Sequence, residues 1–168
     1  MKFGLWIRGQ YGPEDSLRQC FLDTIDQVRL ARDCGFSMIT STCHYLNAPY
    51  QELQWVPLLS RLAAESGDML LATSIALLPL ENPVEMAEQV ASIDVICDGR
   101  FIFGVGLGYK PSEFEAFGVQ LKDRVPRFRE SIELMQRLWT EDRVTFEGRF
   151  FQVHDVGIGV RPMQKPHP

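Results

Sequence analysis

The sequence predicts an α/β fold built on a parallel sheet, and three observations predict it. Four short apolar, β-favouring runs, Phe3 to Ile7, Phe36 to Thr40, Met69 to Leu77 and Phe101 to Val105, begin 33, 33 and 32 residues apart. The gaps between them carry helical patterns, and strand alternating with helix at about 30 residues per unit is the signature of right-handed βαβ crossovers. The composition, 168 residues with 45% hydrophobic and 23% charged, is that of a chain able to bury a core.

The elements follow in order. The first strand, Phe3-Gly4-Leu5-Trp6-Ile7, runs directly into Arg8 and so lacks the apolar core and small-residue cleavage site of a signal peptide. Ser16 with Gln19 forms a capping box ahead of Leu17, Cys20, Phe21, Ile25, Val28 and Ala31 at helical spacing. Gly35 stands where a left-handed cap is wanted, so a helix is expected over 16–34. After the second strand a helix is expected over 55–66, with Pro57 tolerated in its first turn. After the third, Asn82 caps a helix that has Pro83 at its first position and Glu85 completing a box. Asp98-Gly99 closes that helix behind Val90, Ile93 and Ile96. Beyond the fourth strand the pattern changes to a helix over 123–140 carrying Phe128, Ile132, Met135 and Leu138. Val144 to Val153 then reads as two strands around a Glu147-Gly148 turn. The closing stretch from Val160 has prolines at 162, 166 and 168 and suits neither helix nor central strand.

A closed barrel of eight βα units takes about 250 residues. Four units and a hairpin use up this chain, and an open sheet would leave its first and fourth strands as apolar edges. Either a fragment or an obligate assembly of half-barrels is therefore expected.

Charge and cysteine usage narrow the function. Seventeen Lys and Arg against twenty-two Asp and Glu give a net charge of −5, with no basic surplus for nucleic acid or an anionic membrane. No apolar run approaches membrane-spanning length, and a cytoplasmic location is expected. Cys20, Cys34, Cys43 and Cys97 fall at no C-x-x-C spacing and only His44, His154 and His167 could join them. No metal site is expected, and the thiols are read as reduced and structural.

The stretch Leu71-Ala-Thr-Ser-Ile-Ala-Leu-Leu-Pro-Leu-Glu-Asn-Pro-Val-Glu-Met-Ala-Glu-Gln-Val-Ala-Ser-Ile-Asp-Val-Ile-Cys-Asp-Gly-Arg-Phe-Ile-Phe-Gly-Val-Gly-Leu-Gly-Tyr109, followed by Glu113-Phe-Glu-Ala-Phe-Gly118, resembles the bacterial luciferase-like flavin monooxygenases in order and spacing. The resemblance continues through Gly35-Phe36, Cys43-His44-Tyr45, Arg127, Trp139, Glu147-Gly148 and Arg161-Pro162. It implies a (β/α)8 TIM barrel of which residues 1–168 are the N-terminal half, comprising the first four βα units and a hairpin insertion. It also implies reduced FMN, or the deazaflavin F420 in a sister branch, with the ring at the carboxyl-terminal mouth of the strands. FMN members use O2 to oxygenate a small molecule such as an aldehyde, sulfonate or ketone; F420 members move a hydride. A separate flavin reductase is a partner in keeping with this resemblance, and the unpaired apolar sheet edges point to a homo-oligomer. A truncated, non-catalytic half-barrel acting through oligomerisation is the alternative left open.

Individual residues carry these expectations unequally. His44 lies just past the second strand, where the family usually shows Glu-His-His; the central imidazole is retained and the acidic neighbour is replaced by Cys43. Such an imidazole suits a general base or a holder of a substrate oxygen, set against a histidine merely satisfied by backbone at a strand end. The resemblance places a non-prolyl cis peptide at Ser74-Ile75, against the flavin ring. Gly104, Gly106 and Gly108 follow the fourth strand, and Gly106 and Gly108 are read as letting backbone approach the cofactor. A Rossmann dinucleotide site is the runner-up, but its G-x-G-x-x-G opens a helix after the first strand, and here Tyr109-Lys110-Pro111 intervenes. Trp6, Tyr11 and Tyr45 are read as lining the substrate pocket. Glu113 and Glu115 are read as a solvated face rather than a catalytic pair.

Overall fold

The computed structural model describes residues 1–168 and resolves into two compact units, Met1–Ala76 with Arg100–Gly104, and Leu77–Gly99 with Val105–Pro168.

The first unit holds strands β1 (Gly4–Trp6), β2 (Gln10–Tyr11), β3 (Met38–Ser41), β4 (Gln51–Glu52), β5 (Leu70–Thr73) and β6 (Phe101–Ile102), with helices α1 (Leu17–Asp33) and α2 (Trp55–Leu62). The four strands expected to be parallel are parallel, in the order β1-β3-β5-β6. In register, Leu5, Ile39, Leu71 and Phe101 form one row across the sheet. The last three of these are buried, as are Trp55, Leu58, Leu59 and Leu62 of α2. The Trp55 ring stacks on Phe101 with centroids 6.3 Å apart and planes 7° apart. Burying each such side chain contributes about 1.5–3 kcal/mol. Because side chains alternate along a strand, Trp6, Leu70 and Ile102 fall on the opposite face, where they are exposed.

Helix α1 starts as expected, with the Ser16 hydroxyl accepting the Gln19 amide, and it is followed by Gly35 at φ +78°. Strand β6 ends at Ile102 rather than at 105, and three further points differ from the expectation. Helix α2 ends at Leu62 rather than at 66: the Glu65 and Ser66 amides both donate to the Leu62 carbonyl in a closing turn, and the chain leaves through Gly67 at φ +55°. Strand β5 ends at Thr73 rather than at 77: beyond it the Ser74–Ile75 peptide is cis and Leu78–Leu80 form a 3-10 turn. The short antiparallel pair β2–β4 was not anticipated, since two residues per strand leave no period to read.

The second unit contains α3 (Pro83–Ile96), α4 (Pro111–Ala116), α5 (Arg124–Thr140) and the antiparallel hairpin β7 (Val144–Glu147) and β8 (Gln152–Val156). The Asn82 carboxamide oxygen accepts the Val84 amide at 2.9 Å, while Glu85 turns to Gln89 instead of closing a box. Helices α3 and α5 pack together. Ala87 and Ala91 are small enough for close approach, and the indole of Trp139 donates to the Ala87 carbonyl at 2.9 Å. The Glu130 carboxylate accepts the amides of Arg149 and Phe150, which fixes the hairpin turn beside α5. Arg161 donates to the Leu138 and Trp139 carbonyls at the end of α5, and Gln164 donates twice to the buried Asp94 carboxylate. The proline-rich closing stretch is thus held by side chains rather than by a ladder. No helix of the chain is long and apolar enough to cross a membrane.

Candidate active site

In a parallel sheet every strand ends on the same edge, and ligands of open α/β sheets bind outside that carboxyl edge. Here the edge carries Ile7 to Gly9 after β1, Thr42 to His44 after β3, Ser74 and Ile75 after β5, and Phe103 and Gly104 after β6. Backbone bonds hold these segments past the ladder. The Ile7 amide donates to the Thr40 carbonyl at 2.9 Å, Ser74 to Ser41 at 2.8 Å and Ala76 to Gly104 at 2.8 Å. Thr73 adds its hydroxyl to the same Gly104 carbonyl at 2.8 Å. A side chain at Gly104 would run into the Thr73 carbonyl oxygen, so this glycine is required by close backbone approach.

At the β1–β3 end of the edge lies a cleft of about 500 Å³ lined by Trp6, Arg8, Gly9, Gln10, Thr42, His44 and Tyr50. The wall that carries His44 is knotted by Glu52 of β4. Its carboxylate accepts the Thr42 hydroxyl at 3.2 Å, the His44 amide at 3.2 Å and the Asn47 carboxamide at 2.6 Å. Gln54 donates to the His44 carbonyl at 3.2 Å, so the histidine backbone is fixed from both sides. On the opposite wall, Nε of Arg8 donates to the Gln10 carbonyl at 2.7 Å and its guanidinium lies 5.4 Å from the Tyr11 ring centroid.

Of the residues expected from sequence, the cleft brings together Trp6 and His44. Tyr11 and Tyr45 are not among its lining residues; Tyr11 turns to α1, where its hydroxyl meets Thr24 Oγ1 at 3.1 Å. Ser74 and Ile75 stand at the same sheet edge after β5, with the Ile75 side chain 42% exposed. Gly106 and Gly108 belong to the second unit. There Gly108 has φ +71°, and a Cβ would stand 3.0 Å from the Phe114 ring. Glu113 is a correction: it is 1% exposed rather than solvated, buried with Phe114 in the first turn of α4, where the helix dipole favours a carboxylate. Arg8, Thr42, Tyr50 and Glu52 were missed. Glu52 follows His44 by eight residues in a segment without periodicity, and only the β2–β4 pairing brings it back.

The profile of the luciferase-like monooxygenases matches residues 1–168. The chain is 36% identical over 116 residues to an F420-dependent glucose-6-phosphate dehydrogenase of Kineococcus radiotolerans, a match that covers 67% of this chain and 33% of that relative. It is 34% identical over 90 residues to an FMNH2-dependent dimethylsulfone monooxygenase of Pseudomonas putida, covering 52% and 25%. Among solved structures, the monooxygenase RslO1 of Streptomyces bottropensis superposes with a TM-score of 0.92 at 32% identity, covering 100% of this chain and 52% of that one. The chain spans about half the length of the curated relatives it matches from end to end. With the family profile matched over its whole length, this chain belongs to the luciferase-like monooxygenase family of oxidoreductases.

Proposed function

We propose that this chain supplies part of the site of a flavin-dependent monooxygenase, in which reduced FMN and O2 oxygenate a small organic substrate, and that residues 1–168 are the N-terminal half of a (β/α)8 barrel. The observation that carries the reading is the convergence of Trp6, Thr42 and His44 on the carboxyl edge of four parallel strands. The end-to-end likeness to RslO1, itself a monooxygenase, supports it.

The residues at the edge suit a planar, largely apolar ring. Ile75 offers an exposed aliphatic side chain, Gly104 offers none, and Trp6 is 64% exposed. Ser74 and Ile75 are the residues we assign to the ring from this unit. Bound FMN would supply two-electron chemistry with O2, and a separate reductase would deliver it reduced. What the chain contributes is orientation and proton handling. The His44 backbone is pinned by Glu52 and Gln54, so its imidazole is presented from a fixed main chain and holds or moves a proton at a substrate oxygen.

A second reading, hydride transfer with F420, is favoured by the relative of Kineococcus radiotolerans, which uses that cofactor. Separate absorbance titrations with FMN and F420 decide between them: saturable binding of one cofactor selects its reading, and binding of neither removes both. In the active assembly, His44→Ala should lower kcat by about 100-fold or more, within the usual range for a general acid or base, with flavin Kd changed less than about threefold. Equal losses in both parameters contradict the assigned role.

A further inference from the structure

We propose that the substrate of this cleft is a small organic anion, a carboxylate, sulfonate or phosphate on an apolar or aromatic body, and that Arg8 reads its charge. The proposal rests on the reading of the cleft as the substrate site and adds the class of substrate to it.

Arg8 is exposed at the cleft, and two contacts hold its side chain there. It follows Ile7, which is buried, in the segment bonded to Thr40. Its Nε is used by the Gln10 carbonyl and one face of the guanidinium lies over Tyr11, whose hydroxyl is tied to Thr24. Two contacts on different sides therefore limit the swing of a side chain that is otherwise flexible. The N–H groups on its two Nη atoms make no hydrogen bond within the chain. Nor does Arg8 form an ion pair, although the chain carries a net charge of −5 and Arg29, Arg61, Arg137 and Arg143 each hold a carboxylate.

The surroundings agree with that role. None of the residues lining the cleft is acidic. The nearby carboxylate, Glu52, has its oxygens engaged by Thr42, His44 and Asn47. Trp6 and Tyr50 offer exposed aromatic surface to the body of a ligand, and His44 shares the same cleft. A pre-oriented guanidinium fork with free N–H groups matches the paired oxygens of a carboxylate, sulfonate or phosphate. Such a charge-assisted contact separates an anion from its neutral isostere by about tenfold or more in affinity.

Trp6 provides the readout, being 64% exposed while Trp55 and Trp139 are 1% and 6% exposed. Benzoate, benzenesulfonate, phenyl phosphate and neutral benzamide are titrated into the full chain while tryptophan fluorescence is followed, with Trp6→Phe identifying the responding ring. The expected result is saturable quenching by at least one anion at about tenfold lower concentration than by benzamide. Arg8→Gln should erase that preference and Arg8→Lys should restore part of it. Quenching by every anion no better than by benzamide, or a preference that survives Arg8→Gln, overturns the proposal.

A parallel titration with FMN and riboflavin separates substrate from cofactor as the source of the charge. If Arg8→Gln weakens FMN but neither riboflavin nor the benzoate preference, the arginine holds the cofactor's phosphate and the proposal is lost. A native chain that binds flavin without any anion preference refutes this proposal and leaves the functional reading standing. An Arg8-dependent anion preference in a chain that binds no flavin or F420 does the reverse.

Discussion

At the scale of single residues, the candidate site depends on contacts that bring distant positions to one edge. Glu52 is the clearest case, because three donors from the His44 segment end on one half-buried carboxylate. Glu52→Ala should leave them without that acceptor and lower stability by about 1–3 kcal/mol, read as a lower urea midpoint together with faster amide exchange at His44. An unchanged exchange rate at His44 would show that Glu52 does not hold that wall. Gly104→Ala should cost about 1–3 kcal/mol through its clash with the Thr73 carbonyl, and a midpoint within error of the parent would contradict the close approach. His44 and Trp6 were legible in the sequence because each follows or ends a recognisable apolar run. Arg8, Thr42, Tyr50 and Glu52 were not, because their roles arise from a side-chain knot and a two-residue strand pair that leave no pattern along the chain.

Among the elements, α1 and α2 are joined by Glu65, whose carboxylate pairs with Arg29 at 2.8 Å and Arg61 at 2.7 Å. Hydrogen bonds first from Arg29 and then from Arg61 hold the Glu65 pKa below its ordinary value. A depressed pKa in the folded state means that this contribution is fully present above the unfolded glutamate value of about 4.3 and is lost as pH falls through the lower folded value. Glu65→Gln should therefore flatten the acid limb of a stability–pH profile while changing its neutral plateau little, since the pair is near the surface. An unaltered acid limb would mean that the contact is not formed in solution. The same elements show what pattern reading reaches. Helix starts at Ser16 and Asn82 and the parallel strand order followed from capping residues and spacing. The early end of β5 did not, because Ala76, Leu77 and Leu78 remain buried and apolar after the strand stops. Hydrophobicity reports burial there and not backbone conformation.

For the molecule as a whole, the central facts are a parallel sheet whose carboxyl edge gathers Trp6, Thr42 and His44, and a chain that belongs to the luciferase-like family. The sheet also exposes Trp6, Leu70 and Ile102 on the face opposite Ile39, Leu71 and Phe101, and apolar surface of this kind favours association. We expect native mass spectrometry to find multiples of 19.2 kDa; a monomer at every concentration tested would contradict self-association. The overall class was legible because strand spacing is a property of the whole chain. The Arg8 and Tyr50 side of the cleft was not, since it is built from loops whose conformation depends on tertiary contacts. The measurement that tests the account most directly is amide chemical-shift mapping during an FMN titration, repeated with F420. Saturable shifts confined to the strand-end segments, at Thr42 to His44 and at Ser74 and Ile75, are the predicted result. Shifts centred instead on the opposite edge, at Lys2, Ser37 and Met69, or none with either cofactor, would contradict it.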